Sequence, residues 1–241
     1  MKLRTFPYAL QFLTRLPAPP IANFDPDDLS RSALWFPVVG AIVGAIVAAS
    51  VFAGAAVNPW VGALAGLAAW VWVTGGLHLD GLSDVADALG AAHRSPERFL
   101  EVLKDPHVGA FGVIALVLQM TAKLVLLAAV AGQGFIWPLI LIAAWARWGS
   151  LAISLAVPPL AGGTGERFSW HIDARGVAAE GVVLAVLSLA LAPVLLGALV
   201  VVPVIAAYWR SRLGGVTGDC LGAGTEITET ILLLLIAIRM A

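Results

Sequence analysis

At 241 residues, 60% of them hydrophobic and only 12% charged, the chain carries roughly half the charged fraction of an ordinary soluble domain and reads as a polytopic membrane protein. A net charge of −1 excludes the global basic field that nucleic acid would require, and the single Cys220 excludes an intrachain disulfide. No internal repeat, low-complexity tail or linker divides the sequence, so one membrane domain over residues 1–241 is expected.

In residues 1–20, Lys2 and Arg4 precede an apolar stretch that imitates a signal peptide. Gln11, Thr14 and Arg15 interrupt it and no small-x-small cleavage site follows, so an amphipathic segment lying on the membrane surface is expected. Residues 34–57 are long enough to cross roughly 30 Å of hydrocarbon, and Gly40-x-x-x-Gly44 within them would let another helix approach closely. Asn58 and Pro59 turn the chain, and residues 60–77 return with Trp60, Trp70 and Trp72 toward their ends.

The stretch that follows, TGGLHLDGLSDVADALG over residues 74–90, places His78, Asp80, Asp84 and Asp87 close together with no Lys or Arg among them. A helix over residues 80–90 sets Asp80, Asp84 and Asp87 at i, i+4 and i+7, on one face. Three carboxylates on one stripe repel each other. A bound cation removes that conflict, and an oxygen-rich cluster with open positions suits Mg²⁺. A solvated helix start explains one or two acids in a first turn, not three in a row along a face.

A polar segment continues to residue 109. Ser95-Pro96-Glu97 reads as a helix start, and Lys104-Asp105-Pro106-His107 stands just ahead of the next span, with Asp105 or His107 available as a base. Residues 111–131 and 135–157 form a second hairpin. Lys123 and Arg147 each fall about a dozen residues into a span, where a cation costs at least ~2.5–3.5 kcal/mol to insert. They are either structural cations satisfied by backbone carbonyls or ligands for a phosphate entering opposite the acidic face. Residues 116–130 and 135–157 supply no Asp or Glu to pair with them, which favours the phosphate role.

Residues 158–175 form a polar loop with Glu166, Arg167, His171, Asp173 and Arg175. Residues 176–209 are apolar for too long a stretch to be one span, and Pro193 near the middle predicts a two-span hairpin. Arg210 and Arg212 precede the glycine-rich residues 214–224. Glycines there let backbone N–H groups approach an anion, Gly218 among them, and Asp219 offers a metal ligand or base; a plain connector is the competing reading. Residues 227–238 are short for a span, giving six to seven spans in all. The turns near Asn58, Gln133 and Pro193 hold no Lys or Arg, whereas the N-terminus and residues 75–109, 158–175 and 210–219 hold nearly all of them, which predicts that these segments face the cytoplasm.

Five stretches in order resemble the cobalamin-5′-phosphate synthase (adenosylcobinamide-GDP ribazoletransferase) family. They are Phe12-Leu13-Thr14-Arg15-Leu16-Pro17, Phe36-Pro37-Val38-Val39-Gly40, the acidic stretch itself, Lys104-Asp105 with Val108-Gly109 and Gly112, and Gly214-Gly215-Val216-Thr217-Gly218-Asp219. Ala88 stands where that family usually has Gly, and Pro106-His107 where it often has Ser-Arg. The resemblance implies an all-α enzyme of the bacterial or archaeal inner membrane in which a ribose hydroxyl of α-ribazole, or of its 5′-phosphate, attacks adenosylcobinamide-GDP and releases GMP. It implies Mg²⁺ on Asp80, Asp84 and Asp87 as the catalytic acids. Phosphate or substrate contacts are then expected from Lys104, Asp105, Lys123, Arg147, Arg210, Arg212, Gly218 and Asp219. Partners would be the two small substrates and the lipid bilayer, with a homo-oligomer open and nucleic acid excluded. A CDP-alcohol phosphotransferase would need Ala-Arg after its Asp-Gly, where Ser83-Asp84 stands, and wider acid spacing. An ion-coupled transporter would need polar groups on both sides and an inverted repeat.

Overall fold

The computed structural model describes residues 3–21, 26–92, 95–160 and 172–240, and the regular structure of these residues is helical, with one isolated parallel bridge between Pro159 and Val216. The polar-loop residues Glu166, Arg167 and His171 lie outside the described residues. Helix α1 (Phe6–Leu13) buries Ala9, Leu10 and Leu13. That apolar face packs on the protein, sharing a core with Phe36 and Val39 of α3 (Phe36–Ala55) and Leu151 of α8 (Pro138–Ala156), so the segment is more than a surface float. The short α2 (Pro26–Arg31) lies between α1 and α3.

Local signals set the next elements. Asn58 accepts hydrogen bonds from the amides of Trp60 (2.9 Å) and Val61 (3.0 Å), and Pro59 opens α4 (Pro59–Thr74) where its missing N–H has no consequence. Ser95 caps α6 (Pro96–Val102) through the Arg98 amide at 3.2 Å. Gly40 and Gly44 seat α8 against α3: an added methyl would come within 2.4 Å of the Ala143 carbonyl oxygen at the first and 2.4 Å of the Leu139 carbonyl oxygen at the second. The long apolar stretch after residue 175 divides into α9 (Ala174–Leu191) and α10 (Ala198–Leu213), joined by a 3₁₀ turn at Pro193–Gly197, as Pro193 predicts.

The last helix departs from expectation. α11 runs Gly218–Met240, so much of the glycine-rich stretch is helix and not loop. Glycine disfavours helix by about 1 kcal/mol per residue, and tertiary contacts override it here. Thr217 Oγ1 accepts from the Cys220 amide (3.3 Å) as a cap. Gly222 faces α5 (Leu77–Ala91), where a methyl would stand 3.4 Å from the His78 Cα.

Six helical segments are long and apolar enough to cross a membrane: Ala33–Ala55, α7 (Ala110–Gly132), α8, α9, Pro193–Leu213 and Gly218–Arg239. α4 joins α5 through a bend of 86°, the geometry of a broken span or a re-entrant loop, so the crossings number six, or up to seven with this pair. The protein is therefore an all-α polytopic membrane protein. With the bent pair counted as a crossing, alternation puts residues 75–92, 95–109, 157–160, 172–173 and 214–217 at one end of the bundle, with residues 56–58, 133–137 and 192–197 at the other.

Candidate active site at the acidic helix

The bend between α4 and α5 is built from two consecutive glycines in the left-handed region, Gly75 at φ 65° and Gly76 at φ 75°. Any other side chain would be strained at both positions. The turn takes α5 out of the line of the crossing. The N-terminal segment is tied to this corner: the Arg15 amide donates to the Val73 carbonyl at 2.7 Å, and its side chain lies over Gly75, where a methyl would meet Nε at 2.5 Å. Between this segment, α5 and α7 opens a cavity of about 730 Å³ whose lining includes Thr14, Arg15, Gly75, Gly76, Asp80 and Ser83.

α5 is a helix over the acidic stretch, so Asp80, Asp84 and Asp87 share a face as their spacing requires. It runs between the N-termini of two other helices. At one, Asp87 Oδ2 accepts from the Gly109 amide (2.7 Å) and Oδ1 from the Gly112 amide (2.9 Å). Gly109, the residue before α7, supplies no side-chain cap, so the aspartate of a neighbouring helix satisfies the otherwise open N–H groups. Only glycine permits the approach: a methyl at Gly109 or Gly112 would come within 2.5 or 2.4 Å of an Asp87 carboxylate oxygen. Both oxygens of Asp87 thus accept hydrogen bonds from the start of α7.

At the second N-terminus, Gly81 lies against the start of α11, with 3.0 Å between an added methyl and the Asp219 Cα. That contact delivers Asp219 to the acidic face. Asp84, half-buried, has its pKa pushed up to about 6, first by desolvation and then by the charges of Asp80, Asp219 and Asp87. Among the described residues no three His, Cys, Asp or Glu side chains close into a ready-made metal cage. Mg²⁺ does not need one: it keeps several waters and takes one or two carboxylates plus substrate phosphates. An all-carboxylate set that crowds Asp84 with negative charge fits such an ion in donor type and in charge.

The other expected ligands are dispersed. Lys104 and Asp105 are exposed, and Asp105 Oδ1 is engaged by the amide (3.0 Å) and Nδ1 (2.7 Å) of His107 in a local turn. Arg210 lines a separate cavity of about 330 Å³ with Trp148 and Val157. Arg210 and Arg212 occupy the last turn of α10, where cations complement the helix dipole. Gly218 opens α11 with free space beside it.

Lys123 and Arg147 require the largest correction. Both are buried, and α11 supplies the acids that their own helices lack. Lys123 Nζ contacts Glu226 Oε2 (2.6 Å) and Glu229 Oε2 (2.5 Å) and sits 4.4 Å from the centroid of the Trp70 ring. Arg147 pairs with the other oxygen of Glu229 and approaches His78 Nδ1 at 3.5 Å. Gln119 donates to Glu226 Oε2 (2.7 Å) and Thr230 Oγ1 (2.8 Å). Two cations and two carboxylates cancel, which is how charge survives in a low-dielectric interior. These residues join α5, α7, α8 and α11 beneath the acidic face rather than standing in it. Glu226 and Glu229 were hidden because a partner 82 to 106 positions away leaves no periodic trace. Arg15 was within the Phe12–Pro17 motif but had no local pattern to mark it.

The family model described as cobalamin-5-phosphate synthase matches residues 5–237. The chain is 51% identical to the adenosylcobinamide-GDP ribazoletransferase of Thiobacillus denitrificans, over 97% of this chain and 94% of that protein. It is 54% identical to the protein of the same name from Laribacter hongkongensis (97% and 96% covered) and 48% to that of Novosphingobium aromaticivorans (98% and 97%). No solved structure matches. With the family's model matched almost end to end, this chain belongs to the cobalamin-5-phosphate synthase family, a family of transferases in cobalamin biosynthesis.

Proposed function

We propose that the chain joins adenosylcobinamide-GDP to α-ribazole or its 5′-phosphate with release of GMP, closing the nucleotide loop of a cobamide. The reaction is placed at the cytoplasmic face of the bacterial or archaeal inner membrane. The observation that carries this reading is the acidic face of α5, into which the α5–α11 contact brings a further carboxylate, Asp219, beside a cavity of about 730 Å³. That volume lies within the range of small-molecule sites and accommodates a nucleotide. The relatives' name supplies the substrate pair.

Asp80, Asp84 and Asp219 are the residues that would hold Mg²⁺, which when bound supplies positive charge against the pyrophosphate and the departing GMP. Asp87 keeps α7 fixed against α5 and so sets the position of the whole stripe. The network around Glu229 ties α11, and with it Asp219, to α7 and α8, and through Arg147 reaches His78 of α5.

The test is direct. Purified protein in lipid nanodiscs is incubated with adenosylcobinamide-GDP and α-ribazole or its 5′-phosphate, with Mg²⁺ or with EDTA. Equimolar GMP and cobamide are expected with Mg²⁺ and neither with EDTA. GMP without cobamide would identify a hydrolase, and undiminished turnover in EDTA would remove the metal from the mechanism.

A further inference from the structure

We infer that the apolar wall of the cavity beside Asp80, built by Leu116 and Met120 of α7 with Leu79 of α5, takes the planar aromatic base of the acceptor riboside. This rests on the transferase reading above and assigns the cavity to the acceptor rather than to the guanosine half of the donor. The cavity has two unlike parts. It begins at Val108, ahead of α7, and follows one face of that helix inward through Leu116 and Met120. At 1.5 Å per residue these two stand roughly 9 and 15 Å along the span, one turn apart, and both are partly buried. Asp80 lines the same cavity from α5 and brings the acidic face to its wall.

That combination selects among occupants. A lipid chain is apolar throughout and would press against the Asp80 carboxylate, which costs solvation with nothing in return. Guanine presents donors and acceptors along its edges, and the wall has little to meet them. Gln11 Nε2 already donates to the Pro19 carbonyl (2.7 Å), Thr14 to the Leu10 carbonyl (2.7 Å) and Thr74 to the Trp70 carbonyl (2.9 Å). Ser83 is turned toward α7, where a methyl on Gly112 would come within 2.4 Å of its Oγ. Arg15, the one polar side chain left besides Asp80, is exposed. Guanine edges set against Leu116 and Met120 would stay unpaired, and an unpaired buried polar group is a strong source of rejection.

The base of α-ribazole, a benzimidazole with two methyl groups, is flat and apolar along its methylated edge. The thioether of Met120 suits it, because sulfur meets aromatic ring edges favourably. With the base against Leu116 and Met120, the ribose lies toward Asp80, where an attacking hydroxyl is needed.

The experiment measures kcat/KM in nanodiscs for the α-ribosides of dimethylbenzimidazole, benzimidazole and adenine, together with KM for adenosylcobinamide-GDP. Wild type should favour the dimethylated base over bare benzimidazole by roughly tenfold, the scale of two buried methyl groups, and over adenine by more. Leu116→Trp fills the cavity and should raise KM for α-ribazole by roughly tenfold while KM for adenosylcobinamide-GDP stays put. Met120→Gln should cut the preference for dimethylbenzimidazole over adenine by roughly fivefold, and Met120→Leu should keep it. If Leu116→Trp disturbs both substrates, the Met120 pair decides, because a preference ratio does not depend on the folded fraction. A rise confined to KM for adenosylcobinamide-GDP would give the cavity to guanosine and overturn the assignment. Unchanged KM for both substrates in Leu116→Trp would leave the cavity to lipid and overturn it as well, as would a preference that Met120→Gln does not move. Calorimetry of α-ribazole binding separates the two readings. Binding that Leu116→Trp abolishes, with no turnover by wild type, would count against the transferase reading and still uphold the base site.

Discussion

Asp84 carries two opposed demands. In the folded chain its carboxyl titrates at about 6, whereas an unfolded aspartate titrates near ~3.9. As pH falls through 6 the folded state takes up a proton that the unfolded state does not, so folding gains stability toward pH 4. Above pH 6 the charge must be held among Asp80, Asp219 and Asp87, and that gain is absent. Asp84→Asn is therefore expected to raise the melting temperature of metal-free protein at pH 7.5, with the advantage shrinking at pH 5. The same change should lower kcat/KM by at least about a hundredfold, the scale of one oriented electrostatic group. Added Mg²⁺ should raise the melting temperature of wild type and leave the variant where it was. A variant that melts lower than wild type at pH 7.5 would contradict this account of Asp84. Arg147 is the opposite case, because its partner is buried and singular. Arg147→Met and Glu229→Gln each leave the four-charge cluster unbalanced and should each cost about 3–5 kcal/mol. Combined, they leave Lys123 with Glu226 and should melt higher than either single change. Additive losses would mean that the pair is not a unit.

At the scale of elements, the contact of α5 with α7 is a cap made across space. Asp87→Ala should destabilise by about 1 kcal/mol, within the usual 0.5–2 range for a cap, and speed amide exchange at Gly109 and Gly112 whether or not Mg²⁺ is present. If instead the metal requirement of the variant changes while exchange does not, Asp87 is a ligand after all. Much at this scale was legible beforehand. The acid spacing on α5, the Asn58 and Ser95 caps and the break at Pro193 all depend on neighbours in sequence. The extent of α11 was not, since Gly218, Gly222 and Gly224 argue locally for a loop and only packing against α5 makes them helix. Asp219 could be noted as a possible ligand, but its delivery beside Asp84 depends on that same packing.

For the whole molecule, the helix connections at one end of the bundle carry charge and those at the other, residues 56–58, 133–137 and 192–197, carry none, and the acidic helix of the candidate site lies at the charged end. Cys220 is buried, so single cysteines can be introduced with little background. Ala91→Cys, at the charged end, should react with an impermeant thiol reagent only from the cytoplasmic side. Gln133→Cys, in the turn between α7 and α8, should react only from outside. Labelling of Ala91→Cys in intact cells would reverse the orientation and move the reaction out of the cytoplasm. The count of six to seven crossings was legible because apolar length is a local property. The burial of three ion pairs in its interior was not, because each joins helices read far apart.

That buried cluster also has a history during synthesis. Lys123 and Arg147 enter the bilayer with α7 and α8, long before Glu226 and Glu229 emerge with the final helix. Until then each lone cation resists the lipid by several kcal/mol. The chain is closed by its last segment, much as a keystone closes an arch. A product cut before residue 218 would keep the apolar spans and lose the acids that let them rest together, so quality-control proteases should remove it while sparing the finished protein.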